Sequence, residues 1–250
     1  MNDFDGLAAI VSGAGSGIGQ ATAAELAERG ARVAGLDVEP DGIPEGVLAL
    51  KADLTSQQEV DVAVAEAVGA YGRLDVLVNN AGIGATGTVE DNDDAEWLRV
   101  YDVNVLSMVR MARATLPHLR RSPSAAVVNV ASLYATTGMP KRACYSASKG
   151  AVMALSLAMA ADLAAERIRV NCVCPGSTDT PWVRRLLAGA PDPDRARAEG
   201  AARLPLGRRG EPEELAYAIA FCASPRNANM TGAVIGVDGG MSTLRLPVNS

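Results

Sequence analysis

Seven short apolar runs recur along the chain, at residues 7–12, 31–37, 47–52, 74–79, 125–131, 168–173 and 233–237. They are nearly continuous rather than alternating with polar positions, so each reads as a strand covered on both faces. Helical periodicity occupies the stretches between them: 17–29, 56–71, 94–119, 145–166 and 212–223. The last of these begins with Pro212, Glu213 and Glu214, a proline and two acids suited to a first helical turn. Strand–helix–strand alternation predicts an α/β fold, a doubly wound parallel sheet of about seven strands with helices on both faces. No internal repeat or low-complexity linker divides the chain, so residues 1–250 read as one domain.

Residues 181–210 break the alternation with several Pro, Gly and Arg and no strand signal. An insertion beside the carboxyl ends of strands reads as a substrate lid. Its arginines are Arg184, Arg185, Arg195, Arg197, Arg203, Arg208 and Arg209. Most read as solvated surface; the other reading is contact with an anionic substrate.

Composition narrows the function classes. With 48% apolar residues, 250 positions suffice for one large core, and 4% aromatics with abundant Ala and Gly suit close helix-on-sheet packing. A net charge of −6 and the lack of a long basic run argue against a nucleic-acid partner. The polar, acidic start of the chain lacks a signal-peptide pattern, and no apolar run reads as a membrane span, which predicts a soluble, cytoplasmic protein. Four cysteines form no C-x-x-C pair, and His118 is the single histidine, so no metal site is expected. Cys172 and Cys174 flank Val173 and share a strand face as buried thiols. Cys144, beside Tyr145, is the one thiol read as open to oxidants.

The segment from Ser12 to Gly19 (SGAGSGIG) follows the first strand and opens the first helix. Glycines there let the backbone turn tightly and approach a pyrophosphate held at the helix's positive end, which assigns Gly13, Ser16, Gly17, Ile18 and Gly19 to a dinucleotide. About twenty residues on, the second strand ends at Asp37, whose carboxylate suits the two adenosine ribose hydroxyls and repels a 2′-phosphate. No Lys or Arg in the loop offsets that charge, so NAD is preferred to NADP. Asp53 and Leu54, after the third strand, are placed to flank the adenine. Asn79, Asn80, Ala81 and Gly82 end the fourth strand. The small Ala81–Gly82 pair lets a cofactor pass close to the backbone, while the asparagine amides read equally well as ties between strands.

Tyr145 and Lys149 stand four residues apart on a predicted helix and so share one face. A neighbouring ammonium favours the phenolate and is expected to lower the Tyr145 pKa towards neutrality, as a general acid/base requires.

Together these motifs resemble the short-chain dehydrogenase/reductase superfamily. The resemblance rests on SGAGSGIG, NNAG, Asn104, Ser132, Tyr145-x-x-x-Lys149 and Pro175-Gly176 in family order, with Ser132 thirteen residues before Tyr145. It runs from Leu7 to the Val237–Gly240 segment. Ser12 stands where the family usually has Thr, and Thr178 where it often has an apolar residue. The resemblance implies a Rossmann-like fold, a nicotinamide cofactor and a catalytic set of Asn104, Ser132, Tyr145 and Lys149. In that set Tyr145 exchanges the proton, Lys149 tunes it and binds the nicotinamide ribose, Ser132 bonds the substrate oxygen, and Asn104 holds a water against Lys149. It also places Pro175, Gly176, Thr178 and Thr180 near the nicotinamide. Trp182, just past Thr180, reads either as a contact to substrate or cover over the nicotinamide, or equally as core packing. The resemblance also implies a homo-oligomer, commonly a tetramer.

The activity this predicts is NAD-dependent interconversion of a secondary alcohol and ketone, or a lactol and lactone. The segment Pro175–Trp182 resembles members that oxidise sugars or polyols, and a sugar or polyol dehydrogenase is the first reading. The alternatives are a 3-oxoacyl-thioester or other ketone reductase and, more remotely, an NAD-sensing module without turnover.

Overall fold

The computed structural model describes residues 2–202 and 204–245. Among them the chain runs β1 (Ala8–Ser12), α1 (Gly17–Glu28), β2 (Arg32–Asp37), β3 (Leu48–Lys51), α2 (Gln57–Tyr71), β4 (Val76–Asn79), α3 (Asp94–Tyr101), α4 (Ser107–Leu119), β5 (Ala126–Val130), α5 (Ala143–Leu163), β6 (Arg169–Pro175), α6 (Pro181–Ala188), α7 (Pro193–Ala202), α8 (Pro212–Ala223) and β7 (Val234–Val237). The strands form one parallel sheet in the order β3-β2-β1-β4-β5-β6-β7. This is the predicted Rossmann-like, doubly wound α/β domain.

Continuous apolar strands serve both faces of that sheet. Along β1, Ala9 and Val11 join a cluster with Leu26 of α1 and Leu215 and Ile219 of α8, whereas Ile10 points to the opposite cluster. That second cluster holds Val60 and Val64 of α2, Met111 of α4 and Met159 and Leu163 of α5. Small residues at the contacts, such as Ala23, Ala63, Ala67 and Ala220, let the helices lie close to the strands.

Three expectations change. The predicted helix over 94–119 is interrupted by a π-helical turn, Asp102–Leu106, between α3 and α4. The insertion at 181–210 carries two helices, α6 and α7, where only an irregular lid was expected. The segment Ala143–Glu166 is long and apolar enough, by length and composition, to cross a membrane, which the sequence reading denied to every run. Its apolar character has another cause here: Val152, Met159, Ala160 and Leu163 face the sheet.

Candidate active site

The loops at the carboxyl ends of the strands enclose a cleft of about 710 Å³. It lies where β1 sits between β2 and β4, so that the loops leaving β1 and β4 diverge, the place where open parallel sheets bind ligands. Every residue assigned to the site from sequence lines this cleft except Gly19 and Asn104.

The glycine turn is built for close approach. Gly13 and Gly17 have φ of +67° and +57°, the left-handed region that side chains resist. Gly19 lies beneath the loop rather than on the cleft: a Cβ there would stand 2.0 Å from the Gly13 carbonyl, so its smallness serves the packing of helix on turn. Ser16 is the N-cap residue of α1, and its side chain makes no capping bond. The Asp37 carboxylate accepts from the backbone N–H groups of Gly15 (2.9 Å) and Glu39 (3.1 Å), which fixes it at the rim of the turn. Asp53 accepts from the N–H and hydroxyl of Thr55, and these bonds hold its carboxyl below the usual range.

The asparagines do tie strands together. The Asn80 amide donates to the carbonyls of Ser12 (3.0 Å) and Gly13 (3.2 Å). The Asn79 amide donates to Asn129 Oδ1 (2.8 Å), and the Asn129 amide to Ser156 Oγ (3.0 Å), a buried chain from β4 through β5 to α5. Asn80 lines the cleft as well. The Ser12 hydroxyl accepts from the N–H groups of Asn80 and Ala81.

Asn104 comes from the π turn, a geometry that turns a side chain out of helical register. It is fully buried; its Oδ1 accepts from Ile83 N (2.8 Å), and its amide donates to Ile83 O and Ser148 Oγ. A Cβ on Gly82 would lie 3.1 Å from Asn104 Oδ1 and 3.3 Å from Lys149 Nζ, so the two side chains converge on that glycine.

Ser132, Tyr145 and Lys149 meet at one end of the cleft. The Lys149 ammonium donates to the Val130 carbonyl (3.0 Å) and lies 5.9 Å from the Tyr145 ring centroid. The electrostatics differ from the expectation that Lys149 depresses the tyrosine. Desolvation by the cleft walls pushes the Tyr145 phenol up, and a hydrogen bond with Ser132 pulls it partly back. Burial also drives Lys149 down, to about 8. Burial thus penalises the charged forms of both groups.

On the other side, Gly176 leaves room for the Val237–Gly240 turn: a Cβ there would stand 2.5 Å from Asp238 Cα. The buried Thr178 hydroxyl donates to Gly176 O (3.3 Å), and Thr180 caps α6 by accepting from Val183 N. Trp182 is half exposed and lies against the Gly84 backbone on the cleft wall, not in the core.

Of the insertion's arginines, Arg185 lines the cleft. Arg184, Arg195 and Arg208 are exposed and paired with Asp179, Glu199 and Glu214; Arg203 lies outside the described residues. Cys144 is buried with its thiol pushed up, which corrects its reading as an accessible thiol; all four cysteines are free and buried. Sequence reasoning missed Arg142, which also lines the cleft. The available signal was a cation at the start of α5, where the helix dipole disfavours positive charge.

Known proteins are similar to this chain over nearly its whole length. A family model described as enoyl-(acyl carrier protein) reductase matches residues 13–242. The chain is 40% identical over 247 residues to cis-4-hydroxycyclohexanecarboxylate dehydrogenase of Sinomonas cyclohexanicum, covering 94% of this chain and 96% of that protein. It is 35% identical over 248 residues to the 3-oxoacyl-[acyl-carrier-protein] reductase FabG of Thermotoga maritima, covering 95% and 98%. The ligand-free structure of Thermoplasma acidophilum aldohexose dehydrogenase superposes with a TM-score of 0.93 at 33% identity, covering 100% of this chain and 98% of that one. With the sheet order, the glycine turn and the Ser–Tyr–Lys cluster already in place, these matches along nearly the full length establish that the chain belongs to the short-chain dehydrogenase/reductase superfamily.

Proposed function

We propose that the protein is an NAD-dependent dehydrogenase that interconverts a secondary alcohol, or a lactol, with its carbonyl. One observation carries the reading: Ser132, Tyr145 and Lys149 converge at one end of a cleft whose other end holds the glycine turn and Asp37. The residues fit a dinucleotide. Gly13, Ser16, Gly17 and Ile18 would face its pyrophosphate, Asp37 its adenosine ribose, and Asp53 and Leu54 its adenine. Asn80, Ala81, Gly82, Pro175, Gly176, Thr178 and Thr180 would line the path of its nicotinamide half. The dinucleotide, when bound, supplies the hydride acceptor or donor.

The chain's own residues do the rest. Ser132 donates a hydrogen bond to the substrate oxygen and holds it beside the phenol, an oxyanion-type contribution. Tyr145 takes the hydroxyl proton in oxidation and returns it in reduction. Lys149, whose burial brings its pKa down to about 8, would bind the nicotinamide ribose, and Asn104, held by Ile83, would hold a water against Lys149 as a route for the proton to solvent. Asp37 selects against a 2′-phosphate.

The similarity to an aldohexose dehydrogenase supports a sugar or polyol as the alcohol. The reductase reading is supported by the FabG relative; of the insertion's arginines, Arg184 and Arg208 are held by Asp179 and Glu214, which leaves Arg185 for a carrier. Four free thiols suit the cytoplasm. A homotetramer is supported by apolar side chains left exposed on helices, Leu157 of α5 among them.

The test is turnover with NAD⁺ over an alcohol panel, wild type against Tyr145→Phe. Loss of the phenol is expected to lower kcat about 10²–10⁴-fold. Equal turnover would remove Tyr145 from the reaction, and tight NAD binding without turnover on any alcohol would replace the enzyme by a sensing module.

A further inference from the structure

The cleft is electrically polarised. Its acidic lining residues, Asp37 and Asp53, belong to the β2 and β3 end. Its cationic lining residues, Arg142, Lys149 and Arg185, belong to the other end. Lys149 is buried and committed to the Val130 carbonyl. Arg142 and Arg185 have no such commitment of charge: among the described residues neither has a carboxylate within ion-pair reach. Other arginines of the chain also have no ion pair, but among the cleft-lining residues the cations without one outside Lys149 are these two.

Arg142 is also held in place at some local cost. It occupies the N-cap of α5 without capping it, at the end of the helix dipole that repels a cation. The residue before it, Lys141, has φ of +59°, a strained conformation for a side-chain-bearing residue. The turn is pinned by Gly87 N donating to Lys141 O (3.0 Å) and Ala143 N donating to Gly87 O (3.3 Å). Nη1 of Arg142 donates to the Ala85 carbonyl (3.2 Å) and to the Thr86 hydroxyl, which steadies the guanidinium and leaves Nη2 and Nε for another acceptor. Its charge lies close enough to Tyr145 to ease ionisation of the phenol.

We propose that the substrate is a hydroxycarboxylate, with its oxo acid as product, and that Arg142 is the residue that binds its carboxylate. A planar guanidinium matches a carboxylate in geometry and charge. Arg185, from α6, faces the same cleft and adds positive charge. In the oxidation the carbinol carbon loses hydrogen with two electrons, as hydride, to an oxidised nicotinamide dinucleotide. The hydroxyl proton goes to Tyr145 and then to solvent, and the carboxylate is unchanged. This narrows the sugar or polyol reading to alcohols that carry an acid, and it rests on the reading of Tyr145 as the acid/base.

The experiment compares 4-hydroxycyclohexanecarboxylate and 3-hydroxybutanoate with their carboxamides, and D-glucose, on wild type, Arg142→Gln and Arg142→Lys. For wild type, kcat/KM is expected to favour at least one acid over its amide by about 30–100-fold. In Arg142→Gln, which keeps a donor but loses the charge, the ratio should fall to within about threefold of unity, with partial recovery in Arg142→Lys. Calorimetric binding of cyclohexanecarboxylate, which cannot react, separates this inference from the reading beneath it. Tyr145→Phe should bind it as wild type does, while Arg142→Gln should weaken it at least tenfold, at an unchanged melting temperature. An acid and amide turned over equally by wild type, a preference for D-glucose over every acid, or an acid preference that survives Arg142→Gln would overturn the proposal. Loss of turnover in Tyr145→Phe with binding intact supports both readings, and persistence of turnover there overturns only the acid/base role.

Discussion

Asp37→Ser tests the physical basis of the proposed preference for NAD. The Asp37 carboxylate is fixed against the glycine turn by Gly15 N and Glu39 N, and a Cβ on Gly15 would stand only 2.9 Å from its Oδ2. A 2′-phosphate on an adenosine ribose in contact with this carboxylate would bring its charge to about 5 Å. At an effective dielectric of about 20, each unit of charge at that distance costs about 3 kcal/mol. The phosphate carries more than one charge, but the site is half exposed and salt screens it, so about 3 kcal/mol is a fair net figure. That corresponds to roughly 150-fold in kcat/KM in favour of NAD⁺ over NADP⁺. Serine removes the repulsion and keeps one ribose hydrogen bond. NADP⁺ should therefore improve by about two orders of magnitude. NAD⁺ should weaken by about tenfold, since Gly15 N also loses its acceptor. Steady-state kinetics with both dinucleotides, beside calorimetric Kd values for each, measures the four numbers. A wild type indifferent to the 2′-phosphate, or a serine variant whose preference matches wild type, would refute the electrostatic argument.

Two further predictions concern stability. Folding lowers the Lys149 pKa from 10.5 to about 8, so below pH 8 the native state carries the full cost of a buried ammonium, about 3 kcal/mol at 1.36 kcal/mol per pH unit. Between about pH 8 and 10.5 the unfolded chain binds more protons, and stability rises with pH. Lys149→Met should be inactive yet more stable than wild type at pH 7 by urea denaturation, with the gap closing by pH 10. At the other end of the strands, the Asp75 carboxylate is fully buried. It accepts from Ala8 N (2.9 Å), Ser122 Oγ (2.5 Å) and Arg73 (2.7 Å twice). Burial opposes its charge, but these partners prevail and hold its pKa below 3.8, so its stabilisation is present above that value and lost as pH falls through the folded one. Asp75→Asn should cost about 2–3 kcal/mol at pH 7 and flatten the acid limb of the pH–stability curve, leaving dinucleotide binding untouched.

What the sequence revealed and what it hid follow from the range of each interaction. The strands were legible because burial on both faces is written as unbroken apolar runs, each within a few residues of its observed bounds. Helix α2 was legible at its start because Ser56 accepts from Glu59 N, a local device. The cleft residues were legible because close backbone approach demands glycine at particular positions. The π turn at Asp102–Leu106 was not, since the apolar period runs through it and only Asn104's bonds to Ile83 and Ser148 reveal it. Helix α7 was hidden because it has no buried face to write a period into the sequence. Helix α6 did announce itself, with Thr180 as N-cap and Pro181 at the first helical position, but the surrounding Pro, Gly and Arg content obscured the signature. The rise of the Tyr145 pKa was illegible for a deeper reason. Spacing says that two groups are neighbours, whereas the desolvation that outweighs other effects at the phenol is set by how far the rest of the fold strips water from it.

The position of the cleft is itself explained by a hydrogen-bonding problem. Where β1 and β4 end, their loops must part to admit a ligand, and a parallel ladder that stops inside a protein strands its last N–H and C=O groups. Side chains take over from the ladder there. The Ser12 hydroxyl donates to Val78 O and accepts from Asn80 N and Ala81 N, while the Asn80 amide reaches back to the carbonyls of Ser12 and Gly13. Five polar backbone groups are thereby satisfied by two side chains in a space too narrow for more. A Cβ on Gly13 would meet Ala81 Cα and Asn80 Nδ2 at 2.9 Å. The same glycine that permits this clamp carries the positive φ that starts the turn. Splitting the sheet and opening a dinucleotide-sized crevice are thus one structural act, and that is why the glycine turn and the Asn80–Gly82 segment, 67 residues apart in the case of Gly13 and Asn80, form a single site.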